Sequence, residues 1–152
     1  MEGGSHVEAD APATAVRESG MRFRVTGPKG DVVTDLAGSV GGADSAPSPG
    51  WLMRAGLAAC EASVVAMEAE RDGVELTELD VTVESDSDSR GVLGGDDSVP
   101  PGPVAVRVRI RVAASNADEE QLRALVSRAE RRSAVLDAIG REVPTTTDVV
   151  VV

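Results

Sequence analysis

The hydrophobic positions of this chain change period along its length, and the changes mark its elements. From Met21 to Val25, apolar Met21, Phe23 and Val25 alternate with Arg22 and Arg24, the period of a half-buried strand. Gly27-Pro28-Lys29-Gly30 predicts a turn, and Asp31 to Leu36 returns as the second strand of a hairpin. A Gly/Ser/Ala/Pro loop follows from Gly38 to Pro49. Later, Leu79, Val81 and Val83 alternate with Asp80, Thr82 and Glu84, and a long acidic, Gly/Pro-rich loop runs from Ser85 to Gly102. Val104 to Val112 alternates again, placing Arg107, Arg109 and Arg111 on an outer face with acids such as Asp80 and Glu84 as cross-strand partners. Thr145 to Val152 predicts a final strand. Residues 1–19 are small, polar and without a period, which predicts a flexible N-terminal tail before a single domain over 20–152.

Between the strand patterns the period lengthens to that of a helix. A long one is predicted from Pro49 or Gly50 to Gly73, whose freedom at positive φ suits a C-terminal cap. Met53, Gly56, Leu57, Cys60, Val64 and Met67 share one of its faces. Small residues such as Ala55, Ala59 and Ala62 form a second, and Arg54, Glu61, Glu68 and Asp72 mark a narrow polar strip. A helix apolar around most of its circumference is packed on several sides, so this one is central. A second helix is predicted from about Ala117, with Asn116 as N-cap and Glu119 reaching back to it, and a short third from Ser133 to Ile139. The order β-β-α-β-β-α-α-β is an α+β pattern: antiparallel sheet with helices packed against it.

Composition narrows the function classes. Phe23 and Trp51 are the only aromatic residues, so the core is built from Val, Ala, Leu and Met, and sharing surface with a second copy would add to it. The net charge of −11 repels phosphate backbones and anionic membranes, which excludes nucleic acid and membrane partners. The start of the chain lacks a signal-peptide pattern and no apolar run approaches the ~20 residues of a membrane helix, so a cytoplasmic protein is expected. One cysteine, Cys60, excludes an internal disulfide. It is also the one obvious nucleophile or soft ligand, and no cofactor or metal is expected.

Pro47-Ser48-Pro49-Gly50, the helix through Ala58-Ala59-Cys60, the strand Leu79 to Glu84 and the run Glu84 to Asp88 together resemble the OsmC/Ohr superfamily over roughly residues 20–150. The resemblance implies an intertwined homodimer of α+β subunits with antiparallel sheets around a long central helix. It also implies active sites at the subunit interface and thiol-dependent reduction of organic hydroperoxides. The chain departs from that pattern in places. A second cysteine in a Cys-Pro context is expected where Ser133 and Ala134 stand, and a glutamate where Gly50 stands. Arg22, Arg24 and Lys29 lie in the region of the arginine that would stabilise the thiolate.

The reactive species is a thiolate, an unperturbed cysteine titrates near ~8.5, and burial on an apolar face raises that value. Cys60 lies too deep in its helix for the dipole to help and Glu61 has the wrong sign, so a neighbouring cation is required. Its sulfenic acid would need an external thiol. Ser133 fits a helix N-cap, and the single histidine, His6, falls in the tail, leaving no base to activate a serine. Asp86 to Asp97 approaches a calcium-loop spacing, but Arg90 sits among the ligand positions and a solvated acidic loop is expected. Three readings stand. In the first, Cys60 is the thiol of a single-cysteine peroxidase. In the second, the fold binds a small apolar ligand near Trp51, Met53 and Val64, with Cys60 structural. In the third, the chain is a structural or regulatory dimer.

Overall fold

The structure, a computed structural model, describes residues 6–152. They divide into two compact units, one ending at Leu52 and the other covering Met53–Val152. The first holds a three-stranded antiparallel sheet in the order β1-β2-β3: β1 Thr14–Ser19, β2 Arg22–Gly27 and β3 Gly30–Thr34. The hairpin expected around Gly27 to Gly30 is present, with Gly27 opposite Gly30.

β1 corrects part of the expected tail, of which residues 1–5 lie outside those described. All six of its residues are exposed. A strand solvated on both faces needs no apolar alternation, so the hydrophobic pattern carries no trace of it. Backbone pairing with β2 holds it, aided by Glu18, whose carboxylate accepts from Arg22 and Arg24 at 3.0 and 2.8 Å.

After β3 the chain is pinned by Asp35, which is 2 % exposed. Its carboxylate accepts from the Leu36, Ala43 and Ser45 amides and, at 2.6 Å, from the Ser45 hydroxyl. Asp35 N–H in turn donates to the Pro47 carbonyl. Gly42 packs so closely here that a Cβ would lie 1.8 Å from the Leu36 oxygen. The clamp delivers the chain to α1 (Pro49–Arg71), where Pro49 suits a first helical turn that lacks amide partners and Ser48 Oγ accepts from the Trp51 amide.

In the second unit, α1 ends before Gly73, whose φ of +65° supplies the left-handed turn. β4 (Leu76–Ser87) and β5 (Pro103–Ala114) pair antiparallel over twelve residues each, further than the alternation alone predicts. The extension is held outside by ion pairs: Arg107 with Glu84 and Asp86, and Arg111 with Glu78 and Asp80. The connection expected as a loop carries a short helix, α2 (Ser89–Val92), capped by Asp88. Asp88 and Asp96 there both pair with Arg90, so these carboxylates are met by a guanidinium.

Then come α3 (Glu119–Glu130) and α4 (Ala134–Gly140). The N-cap of α3 is Asp118, boxed reciprocally with Gln121, and not Asn116. Asn116 is used elsewhere: its side chain donates to the Gly73 carbonyl and accepts from the Glu75 amide, tying the end of β5 to the turn after α1. The expected final strand does not form, and residues 141–152 are exposed without regular structure. A strand needs a neighbour to satisfy its backbone, and none pairs with this segment among the described residues.

The core of this unit joins Val64, Val65 and Ala69 of α1 to Leu125 and Ala129 of α3, with Leu76, Leu79 and Ile110 of the sheet packed against them. The face of α1 that it buries differs from the one the apolar stripe predicts. Glu61 and Glu68, expected on a polar strip, are 0 % and 3 % exposed, whereas Met67 is 39 % exposed. Glu68 is buried because it has partners: Arg71, Arg128 and Arg132 surround its carboxylate at 2.8, 3.5 and 3.3 Å. The arginines are partly solvated, so losing one leaves a hydrated partner, whereas losing the carboxylate empties the hub.

Two outcomes follow. Glu68→Gln should lower unfolding stability by about 1.5–3 kcal/mol, the range for hydrogen bonds to charged groups, with each single Arg→Ala costing less by chemical denaturation. The Asp35 carboxyl is held below the usual carboxylate range, first by the Ser45 hydroxyl and then by the loop amides, against the effect of burial. A depressed acid stabilises the fold fully above its unfolded value of ~3.9 and loses that contribution as pH falls through its folded value. Amides of residues 36–45 should therefore exchange faster in acid, and Asp35→Asn should remove that pH dependence.

Candidate thiol site

Cys60 lies on α1 one turn before Val64, partly buried, and its sulfur is reached by the start of α4. Ser133 Oγ donates to Cys60 Sγ at 3.4 Å. The same hydroxyl accepts from the Leu136 amide at 3.3 Å, so it caps α4 and serves the thiol at once. The backbone brings it there: α3 ends at Glu130, Arg132 pairs with Glu68 of α1, and Ser133, the next residue, is 2 % exposed against the same helix.

This arrangement lowers the Cys60 pKa below its ordinary value. The Ser133 hydroxyl is the main cause, followed by the Val135 amide, with burial opposing, the Ala134 amide helping and Glu61 opposing. From the sequence, a cation is expected beside the thiol. The structure lowers the thiol with neutral donors, because the turn that opens α4 presents a hydroxyl and free amides together. The cap at Ser133 is legible in the sequence. Its contact with Cys60, and the roles of Ala134 and Val135, are not, since the two segments are 73 residues apart.

The other residues singled out from the sequence have definite surroundings. Arg22 donates to Glu18 and Ser45, and Arg24 pairs with Glu18 and Asp31. Trp51 is half-exposed, Met53 is partly buried and Val64 belongs to the core cluster. None of these three lines the groove of the second unit that runs between β5 and α3.

Glu61, beside the thiol in sequence, is the residue the pattern misjudges most. Both its carboxylate oxygens are buried and neither has a hydrogen-bond partner among the described residues. No group of three or more metal-binding side chains occurs among the described residues, and no described helix is long and apolar enough to cross a membrane.

The family model for OsmC-like proteins matches residues 42–148. No curated protein matches the chain. Among solved structures, the chain is similar to an OsmC-like protein from Mycoplasma pneumoniae, with a TM-score of 0.73, 14 % identity and coverage of 88 % of this chain and 89 % of that one. It is also similar to an organic hydroperoxide resistance protein OsmC from Legionella pneumophila, at TM-score 0.63 and 20 % identity over 88 % and 90 % of the two chains. The organic hydroperoxide resistance protein OhrB of Bacillus subtilis matches at TM-score 0.56 and 22 % identity over 86 % and 90 %. At these identities the structural matches establish the fold, α+β with antiparallel sheets.

The lowered thiol makes a direct prediction. Alkylation of Cys60 by iodoacetamide should rise with pH about a midpoint below the ~8.5 of a free cysteine. Ser133→Ala should move that midpoint upwards; Arg22→Ala should move it less.

Proposed function

The chain belongs to the OsmC-like protein family, and on that premise we propose that it reduces organic hydroperoxides through Cys60 alone, with an external thiol as reductant. The observation that carries this reading is the hydrogen bond from Ser133 to the Cys60 sulfur. It supplies what peroxide chemistry needs first, a thiol whose anion is favoured. The hydroperoxide resistance proteins among the structural matches make hydroperoxides the natural substrate class.

In this reading the Cys60 thiolate attacks the terminal oxygen of the hydroperoxide. The S–O bond forms, the O–O bond breaks, and the departing alkoxide takes a proton to leave as the alcohol. Ser133 and the Ala134 and Val135 amides favour the thiolate beforehand, and their donor hydrogens hold the sulfur in place. Cys60 is then a sulfenic acid. With no second cysteine in the chain, an external thiol condenses with it, releasing water and leaving a mixed disulfide. A second molecule of that thiol displaces Cys60, which regains its reduced form, and the external thiol leaves as its disulfide.

Brief exposure to an organic hydroperoxide in the presence of a sulfenic-acid trap should add the trap's mass to the wild-type chain and not to Cys60→Ser. Labelling no faster than that of a free cysteine would end the peroxidase reading. The 3.4 Å contact also predicts that Ser133→Cys forms an intramolecular disulfide under mild oxidation. A failure to form it would show that the two positions do not meet in solution.

A further inference from the structure

One side of α1 carries a row of charges, of which only half are matched. Arg54, Glu61 and Glu68 recur every seventh residue, two helical turns apart, and Asp72 follows one turn later. At the C-terminal end of the row, Glu68 is met by Arg71, Arg128 and Arg132, and Asp72 by Arg128. At the other end, neither Arg54 nor Glu61 has an opposite charge beside it among the described residues. The Glu61 carboxylate is fully buried with no donor at either oxygen. The partly buried Arg54 guanidinium donates at 3.0 Å to a neutral group, Ser85 Oγ on β4.

The two unmatched charges lie within reach of each other. Seven residues of helix rise about 10.5 Å, and side chains lean toward the N-terminus, which brings Glu61 back toward Arg54. An arginine arm of roughly 6 Å, a glutamate arm of roughly 3.5 Å and a charged hydrogen bond of about 2.8 Å together exceed that rise. Leu57 and Ala58 flank the line between them, and Ala58 puts only a methyl there. Glu61 also acts on the thiol, since its charge opposes ionisation of Cys60. A thiolate sets a second negative charge near Glu61, so a cation moving to Glu61 gains more once Cys60 has ionised. The Ser85 hydroxyl, being neutral, offers no such gain.

We propose that Arg54 exchanges Ser85 for Glu61, and that the ion pair so formed lets Cys60 react beside a buried carboxylate. Arg54 is then a positioning residue that acts on the thiol through Glu61. The exchange costs little at Ser85, whose hydroxyl lies partly exposed near the end of β4 and can turn to water. It answers the larger need, because a buried carboxylate has no water to turn to. The proposal concerns the reactivity of the thiol toward any electrophile and stands apart from the hydroperoxide reading.

The test is the rate at which iodoacetamide alkylates Cys60 in the full chain at neutral pH, with Glu61 present and in a Glu61→Gln background. Arg54→Met should slow alkylation at least ~2-fold when Glu61 is present, the lower end of coupling between side chains in contact, and leave the Glu61→Gln rate unchanged. Arg54→Lys keeps the charge and should recover part of the loss. Ser85→Ala should act in the opposite sense: it releases Arg54 and speeds alkylation, again only while Glu61 is present. Thermal melts establish that each variant is folded, and Ser85→Ala decides the matter if Arg54→Met is not. An Arg54→Met effect of equal size in both backgrounds, or a Ser85→Ala variant no faster than the wild type, would overturn the proposal.

Discussion

The buried carboxylate of Glu68 sets the geometry on which the second unit depends. A charge taken that far out of water must be met by opposite charge, or the fold gives up several kcal/mol. Arg128 and Arg132, one turn apart near the end of α3, both reach it. Two attachments at that spacing fix which side of α3 faces α1, a rotation that Leu125 and Ala129 alone, small and smooth, would define loosely. Once Arg132 is held, the next residue has little choice of position, and that residue is Ser133. The hydrogen bond to Cys60 is thus a consequence of an ion pair two helical turns further along α1.

The poverty in aromatic side chains explains why polar contacts have this authority. A core of Val, Leu and Ala offers area but few directional contacts. Direction comes from Glu68 in the second unit and from Asp35 in the first, each a buried acid serving several donors. Glu61 departs from the rule, since its two oxygens are buried without a partner. Buried polar groups left unmatched are rare and concentrate where function has overridden stability. This one adjoins Cys60 in sequence.

Elements with one apolar face were legible from the sequence. The hairpin of β2 and β3, the long α1 with its ends, the pairing of β4 and β5, and the cap of α4 each follow from period and punctuation. What escaped did so for physical reasons. β1 is solvated on both faces and so has no period to show. The segment at 145–152 has strand chemistry but no strand paired with it among the described residues. Glu68 reads as surface because a charge is presumed solvated until its partners are known, and two of its three arginines, Arg128 and Arg132, lie some sixty residues away. Glu61 reads as surface on the same presumption, and it has no partner to explain its burial. At the site, the thiol and the serine were both visible as residues. Their meeting was not, because the donor that lowers Cys60 belongs to a turn distant in sequence, and backbone amides leave no letter in a sequence.

The hydroxyl at Ser133 has a consequence for time as well as for reactivity. An oxygen there can hold a sulfur but cannot bond to it, so an oxidised Cys60 has no shelter within its own chain. In the proposed reaction its lifetime would be set by the thiols that surround the molecule, and the duration of the oxidised form would be a readout of that pool. A neighbour differing by one atom, sulfur for oxygen, would close the form on itself and erase the record.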